Sequence, residues 1–172
     1  MVPTSNASSV CLMVLPAVNI THQRRVKMSR LNYASIAPQG FQKLLDADKY
    51  VFASSLEENL IHLVYLRVSQ INGCPYCVDK HWQDATKMGV DARKLNAVII
   101  WRDAPFFSLR ERAALEWAET MTHPAAQDVI APVYDRVKKE FDDKEMVDLT
   151  LAIATMNALN RVAIGFHSVP AA

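Results

Sequence analysis

The chain has 172 residues, with 19 Lys and Arg against 18 Asp and Glu and a net charge of +1, enough length for one domain with a real core. Balanced charge offers no basic surface for nucleic acid, and no stretch approaches the length of a membrane span, so neither partner is expected. Four glycines and no convincing period-2 alternation exclude a turn-rich β protein and predict an all-α fold.

Residues 1–27 differ from the rest. The apolar run Cys11-Leu12-Met13-Val14-Leu15 is followed, not preceded, by Arg24, Arg25 and Lys27, which is the wrong order for a secretory signal. We expect an N-terminal extension that is disordered or lies before the native start, with Met28 as the alternative start and Cys11 outside the chemistry. The helical domain is then 28–172.

Pro38 opens a first helix that directs Phe41, Leu44, Leu45, Tyr50 and Val51 to a core. Ser55-Leu56-Glu57-Glu58 reads as a capping box that starts a second helix at Leu56. That helix carries Leu60, Leu63, Val64, Tyr65, Val68 and Ile71 at helical spacing and runs to Asn72-Gly73. A third follows from Pro75 to Met88, with Gly89 as its stop. Asp91 caps a short helix through Ile100, and a loop with Pro105 covers 101–107. Ser108-Leu109-Arg110-Glu111 is another capping box for a helix over 109–122, burying Ala113, Leu115, Trp117 and Met121 until Pro124. A helix over 128–141 turns Ile130, Val133, Tyr134 and Val137 inward. Asp142 caps the last, over 143–167, whose stripe is Met146, Leu149, Ile153, Met156, Leu159, Val162 and Ile164.

The chemistry concentrates in Cys74-Pro75-Tyr76-Cys77 and His81. A Cys-x-x-Cys pair closes a small disulfide ring, and its thiols acidify at a helix N-terminus. Pro75 suits the first helical position, so Cys74 falls at the N-cap, where the dipole favours an anion. His81 lies four residues after Cys77 on the same helix face. Because the two helices are joined by so short a break, they are expected to fold back on each other. Folding back sets His62 opposite 81–83 and offers a relay from His62 through His81 to a thiol. Two of three cysteines in such a motif read as cytoplasmic redox chemistry, not a secreted disulfide framework. Structural zinc is the metal alternative, with His62 as the tempting extra ligand, but no second cysteine pair exists. Neither metal nor cofactor is expected. Haem attachment would need histidine where Val78 stands.

Leu66-Arg67-Val68-Ser69-Gln70-Ile71-Asn72-Gly73-Cys74-Pro75-Tyr76-Cys77 followed by His81 resembles the alkylhydroperoxidase AhpD-like branch of the carboxymuconolactone decarboxylase superfamily. The likeness extends to Glu111-Arg112-Ala113-Ala114-Leu115 and Met156-Asn157-Ala158-Leu159-Asn160-Arg161-Val162. It implies an all-α, AhpD-like domain with the cysteine motif at the N-terminus of a central helix, assembled as a homo-oligomer, commonly a trimer or hexamer. It also implies a thiol-dependent peroxidase or disulfide oxidoreductase that takes a hydroperoxide and a separate thiol or disulfide reductant protein. Carried over by position, Cys77 attacks peroxide, Cys74 resolves and His81 assists proton transfer. Where the family places a glutamate feeding the relay, this chain has His62, which with an unperturbed pKa near ~6.5 makes a relay sensitive to pH around neutrality.

Helix capping by itself nominates Cys74 as the more acidic thiol, whereas pairing with His81 nominates Cys77. Three other functions compete, one of them a non-enzymatic oligomer whose cysteine pair binds metal or senses oxidants. Cys-Pro-Tyr-Cys is also the active-site tetrapeptide of glutaredoxins, but disulfide exchange of that type requires a strand before the motif. A non-redox decarboxylase of the wider superfamily has no use for an intact cysteine pair.

Overall fold

The computed structural model describes residues 29–124 and 127–171, and every regular element among them is helical. The 1–27 extension, Cys11 and the alternative start at Met28 lie outside the described residues.

Asn32 opens a single turn, α1 (Tyr33–Ile36), by accepting from the Ser35 N–H; the sequence reading did not anticipate it. Pro38 then occupies the first turn of α2 (Pro38–Phe52). Next come α3 (Glu58–Asn72), α4 (Pro75–Lys87) and α5 (Ala92–Ala97), the last prolonged by a 3₁₀ turn, Val98–Ile100. The chain closes with α6 (Leu109–Thr122), α7 (Gln127–Val137) and α8 (Asp143–Gly165). Both reciprocal capping boxes expected at Ser108/Glu111 and Asp142/Glu145 are formed, each satisfying two N–H groups that a helix start leaves open.

The third expected box is not. The Ser54 hydroxyl donates to the Val51 carbonyl and accepts from the Leu56 N–H, which keeps 53–57 in a turn. Helix α3 therefore starts at Glu58, with Glu57 as a cap that makes no side-chain bond. Helix α7 also ends earlier than its apolar pattern, because Arg110 takes the Glu140 carbonyl and Lys138 the Phe141 carbonyl as the chain turns toward α8.

The helix buried around most of its circumference is α3, whose 60–66 stretch is buried without a break. It packs on α4, α6 and α8. Helix α4 lies on its flank and buries only Cys77, His81 and Ala85. Three residues assigned inward are exposed instead: Tyr50, Tyr134 and Ile164. The reason for Tyr50 is polar, since its hydroxyl donates to Asp148 Oδ1 at 2.9 Å and accepts from Lys144. A ring with a polar tip settles where both ends are satisfied.

The 101–107 loop is held by one side chain. Arg112 donates to the carbonyls of Trp101, Arg102, Ala104 and Phe107. A lysine offers a compact point charge and cannot span this fan. Arg112→Lys is expected to lower stability by roughly 1–3 kcal/mol through the carbonyls left unpaired, read as a lower urea midpoint with unchanged slope.

Candidate functional site

Gly73 is the hinge that sets the site. It adopts φ +70°, the left-handed conformation that favours glycine, and ends α3 with the Gly73 and Cys74 N–H groups donating to the Gln70 and Ser69 carbonyls. The hinge is anchored to α8. The Asn72 side-chain amide donates to Asn157 Oδ1 and Asn160 Oδ1, both at 2.9 Å, and the Asn160 amide donates to Ser69 Oγ at 3.1 Å. The 156–162 segment singled out in the sequence thus holds, through Asn157 and Asn160, the loop that presents the cysteines.

Cys74 is the N-cap of α4, in extended conformation, and its Sγ accepts from the Cys77 N–H at 3.3 Å. The cap position predicted from Pro75 is therefore occupied. The two sulfurs are at bonding distance and form a disulfide, with Cα atoms 5.4 Å apart. Both cysteines are buried, yet only Cys77 borders a pocket of ≈ 120 Å³. Tyr76, Lys80 and His81 from α4, Asp48 from α2 and Met156 from α8 are among its other walls.

The antiparallel return of α4 along α3 brings His62 to His81. Their Nδ1 atoms are 3.4 Å apart and each residue is 5% exposed. Which ring donates depends on the tautomer. Burial pushes His81 down to about 3, with the neighbouring His62 and Lys80 adding to the shift. Burial also lowers His62, against the opposing pull of Asp84 and Glu58. Both shifts favour the neutral imidazole, so the pH sensitivity expected of His62 moves below the ordinary histidine range.

Two participants carried no sequence signal. Tyr65, assigned only to the apolar stripe, donates from its hydroxyl to Asp48 Oδ1 at 2.9 Å and sets its ring edge-on to His81, centroids 5.0 Å apart. Burial raises the Asp48 carboxyl above its ordinary value, although the Tyr65 bond acts the other way. Asp48 and Tyr65 lie on different helices, and no spacing rule joins them. Asp84, one turn beyond His81, is bonded by Lys80 at 2.7 Å and Lys87 at 3.1 Å.

This arrangement gives a reducible sulfur pair on a helix N-terminus, one sulfur at a pocket wall, and two neutral imidazoles able to pass a proton between them. Among the described residues no helix is long and apolar enough to cross a membrane.

Known proteins share this framework. The carboxymuconolactone decarboxylase family model matches residues 37–120. The uncharacterized protein YdfG of Bacillus subtilis is 38% identical over 135 residues, covering 78% of this chain and 92% of YdfG. The crystal structure of ATU0492 from Agrobacterium tumefaciens, described as a protein of unknown function and a candidate antioxidant defence protein AhpD, is 36% identical. It superposes with a TM-score of 0.80 over 84% of this chain and 99% of that one. A cysteine-to-alanine variant of the debrominase Bmp8, in complex with 2,3,4-tribromopyrrole, shares the fold with a TM-score of 0.72 at 21% identity, over 80% and 74% of the two chains. On the family match, the 38% identity with YdfG and the shared fold of ATU0492, the chain belongs to the carboxymuconolactone decarboxylase family, in its AhpD-like branch.

Proposed function

We propose that this protein is a thiol-dependent peroxidase and disulfide oxidoreductase that reduces hydroperoxides through Cys74 and Cys77. The observation that carries the reading is the shared pocket wall: Cys77 and His81 border one cavity, and Cys74 stands behind it as the N-cap. In the reduced enzyme the Cys77 thiolate attacks a peroxide oxygen, the O–O bond breaks, and the alkoxide leaves as alcohol with a proton passed through His81 and His62. Cys77 is then a sulfenic acid. The Cys74 thiolate attacks its sulfur, hydroxide leaves as water, and the disulfide forms. Two electrons from a separate dithiol reductant restore the pair by exchange.

Access decides between the cysteines. The cap favours a thiolate on Cys74, but Cys74 does not border the pocket, so in this reading it meets only the sulfenic acid that peroxide has formed on Cys77. The helical segment before the motif argues against a glutaredoxin-type exchange scaffold, and the reducible sulfur pair argues against decarboxylation without redox chemistry. We also read the protein as a cytoplasmic homo-oligomer of trimeric or hexameric size. Exposed Ile36, Ile99, Ile100 and Leu109 supply apolar surface for such contacts.

A free-thiol count before and after one equivalent of hydroperoxide tests the reading. Two of the three thiols are expected to be lost together, with Cys11 left free. An unchanged count would exclude peroxide-driven closure of the pair.

A further inference from the structure

We infer that His62, His81 and Asp84 form a binding site for a divalent transition-metal ion, with zinc as its best-suited occupant. One donor atom from each residue lies within 4.8 Å of the others. The two imidazoles carry the argument. Their Nδ1 atoms face each other at 3.4 Å in a buried setting. At that distance the pair is a long hydrogen bond, beyond the range of about 2.7–3.2 Å for ordinary N–H···O bonds. Two nitrogens on a tetrahedral zinc, each about 2.0–2.1 Å from it, stand about 3.3 Å apart. The spacing matches that of two ligands on one ion.

Asp84 follows His81 by three residues and supplies the oxygen donor from the same helix. Its carboxylate is held by Lys80 and Lys87, short-range pairs along one helix that are worth little each. A dication close to two imidazoles displaces them at small cost. A carboxylate lies near the outer nitrogen of His62, with Glu58 Oε1 3.9 Å from Nε2, beyond hydrogen-bond length but one small side-chain rotation from it. Metal-bound histidines use such a group to fix the tautomer that leaves the inner nitrogen free to ligate. Three protein donors leave a fourth position open.

The site has a consequence that rests on the proposed peroxidase reading. A metal on His81 Nδ1 occupies the nitrogen that faces His62 and closes the proton route between the two rings, so zinc acts as an inhibitor of the thiol cycle.

The test uses the full chain, carrying Cys11→Ser in every protein compared and in its disulfide form, which removes all three thiolates as rival ligands. Zinc is titrated against a chromophoric chelator in the wild type, His62→Gln and Asp84→Asn, with circular dichroism confirming that each is folded. One tightly held zinc per chain, with affinity reduced at least about tenfold in both variants, supports the site. Asp84→Asn alters a partly buried side chain on the flank of α4 and remains informative should His62→Gln fail to fold. No zinc binding by the wild type, or equal binding by wild type and Asp84→Asn, would overturn it. Because oxidised protein has no thiol to turn over, this outcome is independent of the peroxide-driven thiol count.

Discussion

Cys77→Ser is expected to abolish peroxide-driven oxidation of the motif, while Cys74→Ser retains a first reaction and stops at a trapped sulfenic acid. The asymmetry follows from position. Cys77 borders the pocket with His81, and Cys74 is buried behind it as the cap of α4. Removing the attacking sulfur eliminates the covalent step altogether, whereas removing the resolving sulfur leaves an intermediate with no intramolecular partner. Mass spectrometry after dimedone labelling reads both outcomes. A dimedone adduct on Cys74 in the Cys77→Ser protein, and none on Cys77 in the Cys74→Ser protein, would reverse the roles. The helix dipole would then outweigh access, and exchange of the thioredoxin type would become the better reading.

Glu119→Ala is expected to cost about 3 kcal/mol of stability, the lower end of the range for breaking a buried ion pair by removing one partner. Glu119 on α6 accepts from Arg67 of α3 at 2.6 and 2.7 Å, from Trp101 Nε1 at 2.9 Å and from Arg102. The Arg67 and Glu119 side chains are 16% and 17% exposed, so truncation strands a guanidinium with little water to replace its partner. Its pH dependence follows from the same contacts. Burial raises the Glu119 carboxyl, but the bonds from Trp101, Arg102 and Arg67 outweigh it and hold the group below its ordinary 4.5. The folded value is therefore lower than the unfolded one. The stabilisation is complete above the unfolded value and is lost as pH falls through the folded value. Urea midpoints measured at pH 7 and again below pH 4 check both parts. The gap between wild type and Glu119→Ala should be wide at neutral pH and narrow in acid. A gap under 1 kcal/mol at pH 7 would mean that Arg67 finds water or Gln70 as an adequate substitute.

Much of the fold was legible because it is written in short-range signals. Ser108, Asp142 and Asp91 marked helix starts, Pro38 and Pro75 marked first turns, and Gly73 and Gly89, at φ +70° and +83°, marked stops. Each acts within one turn of the backbone. The failure at Ser55 has the same local character, since the neighbouring Ser54 captured the turn first. The inward assignments of Tyr50, Tyr134 and Ile164 failed for a different reason. Periodicity locates a helix face, but the neighbouring helices decide how wide the buried stripe is.

The candidate site divides along the same line. Cys74, Cys77 and His81 share one helix, so their spacing alone put them together at the N-terminus of α4. His62 needed one further inference, that the Gly73 hinge folds α4 back along α3, and the imidazoles do meet. Asp48 and Tyr65 come from separate helices, and their hydrogen bond depends on how α2 lies against α3. The pocket that distinguishes Cys77 from Cys74 draws on α2, α4 and α8 together. The sequence by itself determined the helices, the cysteine pair and its cap, because those follow from backbone bonding over a few residues. Only the tertiary structure decided which sulfur meets the pocket and how deeply the histidines are buried, because access and desolvation belong to the packed assembly of helices and to no single segment of it.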